Sequence, residues 1–185
     1  VTTVVADAKD AAQTEALFAS LDRVDHIFTT AGMFADDQKL QADDALIAEI
    51  LDTRTLGAIY AARYGVAKMT DGGSVTFMSG TAAWRPMNAP VSSASCAAVE
   101  ALARSLAVQF APIRFNTICP GFVRTPLLEA HFGEQANERL EQIGSGLPVG
   151  RIGRAEEVAE AVLFMMKNGY VNGLELTIDG GGRLV

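Results

Sequence analysis

Short runs of β-branched and aromatic residues alternate along the whole chain with stretches of helix formers. That alternation limits the folds open to it more than any other feature. The strand-like segments are residues 1–6, 25–30, 74–79, 113–118 and 174–178, and the helix-like ones are 11–21, 43–70 with a break near 51–55, 92–110, 127–146 and 155–168. Helical connections of roughly 10 to 18 residues between strands make right-handed crossovers and a parallel sheet. The strand segments are near-continuous runs such as Ser74-Val75-Thr76-Phe77-Met78-Ser79. Such runs are expected where helices cover both faces of a sheet. No internal repeat, linker or low-complexity tract interrupts the 185 residues, so one α/β domain over 1–185 is expected.

Composition narrows function by exclusion. The net charge of −7 argues against non-specific binding to nucleic acid or to an anionic membrane. No uninterrupted apolar run approaches the roughly 18 to 20 residues of a membrane span. No charged-then-apolar leader opens the chain, which begins at Val1 inside a strand-like segment. Cys96 and Cys119 are too few for a disulfide framework and have no metal-ligand spacing with His26 and His131. No metal is expected, and a reducing cytoplasm is the expected compartment.

Four segments in order carry a resemblance. Val4-Val5-Ala6-Asp7 comes first, then Asp25-His26-Ile27-Phe28-Thr29-Thr30-Ala31-Gly32. Ile113-Arg114-Phe115-Asn116-Thr117-Ile118-Cys119-Pro120-Gly121 follows, with Val123 and Thr125 after it. Last come Pro148-Val149-Gly150-Arg151-Ile152-Gly153, Glu156-Glu157-Val158-Ala159 and Leu176-Thr177-Ile178-Asp179-Gly180-Gly181. Together they resemble the short-chain dehydrogenase/reductase family over essentially the whole chain. The resemblance implies a Rossmann-like, doubly wound parallel sheet and an NAD- or NADP-dependent oxidoreductase. It assigns Asp7 to the adenine ring, and Ala31, Gly32, Pro120, Gly121, Val123 and Thr125 to the cofactor pocket, although Pro120-Gly121 also serves simply to end a strand.

The same resemblance shows what is absent. The family's first strand and its glycine-rich turn, which seats the pyrophosphate on a helix N-terminus, have no counterpart before Asp7. Gly72-Gly73 precedes a strand, and Gly180-Gly181-Gly182 has no helix after it. In the strand order 3-2-1-4-5-6 the two missing strands would lie between residues 1–6 and 25–30. Residues 24–30 would then be an exposed apolar edge. A longer polypeptide is therefore expected, the alternative being a compact variant in which the first strand moves beside the second.

Hydride transfer to a carbonyl builds an alkoxide, which needs a hydrogen-bond donor and then a proton. In the family a Tyr, a Lys four residues later, a Ser and an Asn supply them. Here Ser92-Ser93-Ala94-Ser95-Cys96 places Ser92 at the Tyr position and Cys96 at the Lys position. Spacing puts Ser79 at the Ser position, while motif register puts Gly80 there; Arg54, before Leu56-Gly57, stands where the Asn would be. The chain is similar to a divergent branch that has a Ser79–Pro86-type segment and no Tyr/Lys pair.

Each candidate has a plainer reading beside it. Ser92 is a weak hydroxyl donor or, more readily, a helix N-cap. Cys96 is a thiolate of lowered pKa or, more readily, a small buried filler. Arg54 is a fixed cation for a carbonyl or carboxylate oxygen or a surface arginine at a helix start. Trp84 lines the substrate cleft or packs in its loop. Leu127, Leu128, Phe132 and Leu140 close over an apolar substrate or belong to an ordinary amphipathic helix. The expected function is hydride transfer between NAD(P) and a small carbonyl or alcohol, with Ser79, Ser92 and Arg54 as the catalytic candidates. The alternative is an inactive dinucleotide- or metabolite-binding protein with a regulatory or scaffolding role. A fragment without independent function is a third reading. The resemblance implies a homodimer or homotetramer formed through residues 54–69 and 92–110, and leaves the substrate open.

Overall fold

A computed structural model describes residues 1–33, 35, 38–85 and 88–185. Its centre is a four-stranded parallel sheet of β1 (Val24–Thr29), β2 (Met69–Met78), β3 (Arg114–Pro120) and β6 (Glu175–Ile178), in the order β1-β2-β3-β6. Phe77 lies opposite Thr29 on one side and Thr117 on the other. The helices are α1 (Ala11–Ala19), α2 (Asp44–Leu51), α3 (Gly57–Gly65), α4 (Pro90–Gln109), α5 (Pro126–Phe132), α6 (Ala136–Ser145) and α7 (Ala155–Lys167). Two short strands, β4 (Val123–Arg124) and β5 (Gly153–Arg154), pair in parallel beside the main sheet.

Alternation along each strand sends side chains to two cores. Ile27, Val75, Phe77 and Phe115 face Phe18 of α1, Ala58, Ala61 and Ala62 of α3, and Val99, Ala103 and Ala107 of α4. Ile118 faces the other way, onto Val158, Val162 and Met165 of α7, with Phe28, Met78 and Leu176 beside them. Local chemistry sets the helix starts. Asp10 Oδ1 accepts from Ala12 N–H at 2.9 Å and caps α1, and Asp43 Oδ1 accepts from Leu46 N–H at 2.8 Å and caps α2. Pro90 and Pro126 open α4 and α5, where a missing N–H costs nothing.

The end of α7 is tied to β3 by a buried cation. Arg114 Nη1 donates to the carbonyls of Met165 and Val171, and Nη2 to that of Met166, all at 2.8 Å. Burial lowers the Arg114 pKa. Asn172 Oδ1 accepts from Phe115 N–H at 2.9 Å, and Asn116 Oδ1 from Leu174 N–H at 3.0 Å.

Three expectations change. Residues 1–6 form no strand, and Val1–Val5 are exposed. A strand needs a neighbour for its N–H and C=O groups, and β1, the sheet's edge, pairs only with β2 among the described residues. The compact variant is not adopted. The break expected near 51–55 is present, as a π-helical turn (Asp52–Leu56) between α2 and α3. Finally, α4 is long and apolar enough by length and composition to cross a membrane, although Glu100 and Arg104 interrupt its apolar runs; here it packs against β2 and β3.

Candidate functional site

The carboxyl ends of parallel strands are where such sheets bind ligands, and there β1, β2 and β3 open into a cavity of about 480 Å³. Thr30 and Gly32 come from the turn after β1, and Met78, Ser79 and Gly80 from the end of β2. Pro120, Gly121, Val123 and Thr125 come from the end of β3 onward. Ser92 and Cys96 enter from the first two turns of α4, Arg54 from the π-helical turn, and Leu127 and Leu128 from α5. The volume suits a nucleotide fragment or small ligand, and its lining is mostly carbon, as in most such sites.

Eight of the ten site residues expected from sequence and resemblance line this cavity: Gly32, Arg54, Ser79, Ser92, Pro120, Gly121, Val123 and Thr125. Ala31 is beside it without lining it. Asp7 stands apart: it is exposed, its N–H donating to Gln13 Oε1 and its Oδ1 accepting from Lys9 N–H in the turn before α1. No strand carries Asp7 to a ligand, because none forms there.

Ser92 is not an N-cap. The helix begins at Pro90, which places Ser92 within the first turn, and its Oγ is buried with no hydrogen-bond partner. An unpaired buried hydroxyl costs free energy unless something bonds to it, and this one sits at the cavity wall.

Arg54 is neither a free cation nor a surface arginine. Its Nε donates to Ser95 Oγ at 3.2 Å, its Nη1 to the Met78 carbonyl at 3.0 Å, and its Nη2 to the Met33 carbonyl at 3.4 Å. The guanidinium lies against Gly32, where a Cβ would come within 2.9 Å of its Cζ. Glycine at 32 is what lets the cation reach the strand ends.

Ser79 spends its proton inward. Its Oγ lies 2.7 Å from Glu100 Oε1 and 3.3 Å from the Cys96 carbonyl. At Gly80, a Cβ would sit 3.5 Å from Cys96 Sγ, so that position faces the residue in the lysine's place.

Burial raises the Cys96 thiol pKa against the lowering effect of Arg54, and pushes that of Cys119 up to about 12, helped by the Glu100 charge. Both are buried fillers rather than nucleophiles. Neither thiol is expected to react with a disulfide reagent in the folded protein at pH 8, and both should react after denaturation. A thiol that titrates in the native state would contradict this arrangement.

A second cavity of about 330 Å³ adjoins the first, sharing Thr81, Gly121 and Phe122 and adding Arg85, His131, Phe132 and Asp179. Trp84 lines neither cavity and does not pack in its loop; it is half exposed, its Nε1 donating to Glu100 Oε1 at 3.4 Å and Arg183 lying over its ring. Leu140 is fully buried in α6 and does not cover the cleft. Pro86 lies outside the described residues.

Glu100 is the functional candidate that sequence reasoning missed. The available signal was spacing: Ser92, Cys96 and Glu100 recur every four residues on one helix face, and Glu100 is an acid inside an Ala/Leu-rich helix.

The residues that the resemblance assigns to the cofactor pocket, Asp7 and Ala31 apart, line this cavity. A Cβ at Gly32 would collide with Arg54 and one at Gly121 with Asp179, and the Ser92 hydroxyl is buried and unpaired beside the cavity. Among the described residues, no glycine-rich turn leading into a helix N-terminus borders the cavity for the pyrophosphate.

The family described as enoyl-(acyl carrier protein) reductase matches residues 1–182. The short-chain dehydrogenase/reductase ucsE of Acremonium sp is 36% identical over 88% of this chain and 63% of its own. Galactitol 2-dehydrogenase (L-tagatose-forming) of Cereibacter sphaeroides is 32% identical over 96% of this chain and 74% of its own. A crystal structure of a small-chain dehydrogenase in complex with NADPH superposes with a TM-score of 0.89 at 34% identity, covering 97% of this chain and 83% of that one. The chain thus spans under two thirds of the length of the Acremonium relative.

Proposed function

The chain belongs to the short-chain dehydrogenase/reductase family, and from that premise we propose that it is a nicotinamide-dependent oxidoreductase interconverting a small alcohol and its carbonyl. It stands in a branch where Ser92 and Cys96 replace the tyrosine and lysine. The observation that carries this reading is the unpartnered Ser92 hydroxyl at the wall of an apolar cavity at the strand ends.

Gly32, Pro120, Gly121, Val123 and Thr125 would hold the nicotinamide end of NAD or NADP. When bound, that group supplies or accepts the hydride. Ser92 donates its hydrogen bond to the substrate oxygen, in the position where charge develops during reduction. Arg54 holds the ends of β1 and β2 together and sets a positive potential over the same oxygen. Leu127 and Leu128 of α5 help exclude water from the cavity. The second cavity, next to the first, takes the rest of the substrate. A polypeptide extending beyond the present sequence, with a glycine-rich turn for the pyrophosphate, belongs to this proposal. So do a cytoplasmic setting and a homodimer or homotetramer formed through α3 and α4.

The test reads binding and turnover separately. Trp84, the chain's one tryptophan, lies next to the turn that borders both cavities, so its fluorescence is expected to change on titration with NADH or NADPH. Hydride transfer to a carbonyl panel is expected to follow the loss of nicotinamide absorbance. Ser92→Ala should lower kcat roughly tenfold or more with little change in cofactor affinity. Binding without any turnover would favour an inactive binding protein, and absence of binding would overturn the proposal.

A further inference from the structure

Behind the cavity wall lies a carboxyl group that the preceding roles do not use. Glu100 sits two turns along α4 from Ser92, with 6% of its surface exposed. Its Oε1 accepts from Ser79 Oγ at 2.7 Å, from Cys119 Sγ at 3.3 Å and from Trp84 Nε1 at 3.4 Å. These donors come from the end of β2, from β3 and from the turn after β2, and none is charged. Among the described residues no lysine, arginine or histidine forms an ion pair with Glu100. The titratable groups around it are Cys119 from β3 and Cys96 from its own helix, with Arg54 beyond Cys96 on the π-helical turn. From α2, which also packs on α4, Glu49 is held by Lys9. A carboxyl buried among neutral donors is costly to keep, and an apolar residue would fill the space more cheaply.

Ser79 shows what the carboxyl does. A hydroxyl has one proton and two lone pairs. The short bond to a carboxylate is charge-assisted and takes that proton, so only lone pairs remain for the cavity that Ser79 lines. Ser92 has the complementary state, with a proton free to donate. One wall therefore offers a donor and the other an acceptor, the pattern needed to bind an alcohol O–H.

We propose that Glu100 is a positioning residue that acts through Ser79, making it the proton acceptor for an alcohol substrate; this rests on the oxidoreductase reading above. In the oxidation direction the alcohol O–H passes its proton to Ser79 Oγ while the proton of Ser79 moves onto Glu100 Oε1. The carbinol C–H bond breaks, its electron pair leaves with the hydrogen as hydride for the oxidised nicotinamide, and the C–O bond becomes the carbonyl. The substrate loses one hydride and one proton, the nicotinamide is reduced, and the carboxylate becomes a carboxylic acid. Reduction of the carbonyl runs along the same path in reverse.

Two measurements decide the proposal. With oxidised cofactor and a panel of secondary alcohols, the wild-type rate should rise with pH along a one-proton limb. Glu100→Gln should lower kcat roughly 10²-fold and flatten that limb, and Glu100→Asp should restore part of its slope. The second readout needs neither cofactor nor turnover. Infrared difference spectra of the wild-type protein against Glu100→Gln should isolate one carboxyl band, and that band should shift in Ser79→Ala. A folded Glu100→Gln protein that keeps the pH limb overturns the relay, as does a Glu100 band indifferent to Ser79→Ala. Failure of wild-type protein to bind cofactor counts against the oxidoreductase reading instead, and the infrared result then decides the Glu100–Ser79 coupling alone.

Discussion

Replacing Arg114 with leucine is expected to lower the melting temperature by roughly 6 to 12 °C, corresponding to about 3 kcal/mol in a domain of this size. The leucine can fill the volume, but it cannot bond to the carbonyls of Met165, Met166 and Val171, which Arg114 gathers at 2.8 Å; among the described residues only that of Val171 keeps a second donor, Asn116 Nδ2 at 3.2 Å. Each buried acceptor left without a donor costs on the order of 1 to 3 kcal/mol. Relaxation and entry of water return part of that. The cation also faces the end of α7, where helix dipoles favour positive charge. Arg114→Lys should recover less than half of the loss, because an ammonium is a point donor and cannot span three carbonyls. Thermal unfolding followed by circular dichroism gives the answer, and a shift within two or three degrees would mean that other bonds hold α7 against β3.

Gly121→Ala is expected to weaken nicotinamide cofactor binding by roughly tenfold or more while leaving the fold in place. A Cβ at this position would lie 2.8 Å from Asp179 Cβ and 3.0 Å from Asp179 Cα. Asp179 cannot swing aside, because its carboxylate accepts from the N–H groups of Gly181 and Arg183 at 3.0 and 2.8 Å. The displacement must fall on the 121–125 segment, which carries Val123 and Thr125 into the cavity. Gly169→Ala is the matched control, since nothing lies within 4 Å of a Cβ there. Equal affinities for the two variants, read from Trp84 fluorescence, would show that the 121–125 segment does not set the ligand's position.

Much of this arrangement was legible in the chain. The strands at 25–30, 74–79, 113–118 and 174–178 announce themselves as dense apolar runs, and they form the sheet in the expected parallel order. The cavity-lining set from Gly32 to Thr125 follows from motifs at the strand ends. Residues 1–6 have the same composition as those strands, yet strand formation depends on a neighbour, which composition does not encode. The start of α4 was marked by Pro90, a stronger signal than the serine two residues later. Arg54 and Glu100 were harder for one reason. Each is defined by partners 16 to 41 positions away, and such distances close only once helices settle on the sheet. Sequence spacing names the face such a residue occupies, and packing names what it touches.

The cavity lies where the two apolar clusters meet. Ser92, Cys96 and Arg54 belong to the side packed by α3 and α4, whereas Phe28, Met78 and Val158 belong to the side packed by α7. A molecule seated there acts as a keystone, touching both layers at once, so part of its binding energy counts as cohesion between them. Occupancy then stabilises the folded chain by mass action, and the protein's lifetime rises and falls with the concentration of what it binds.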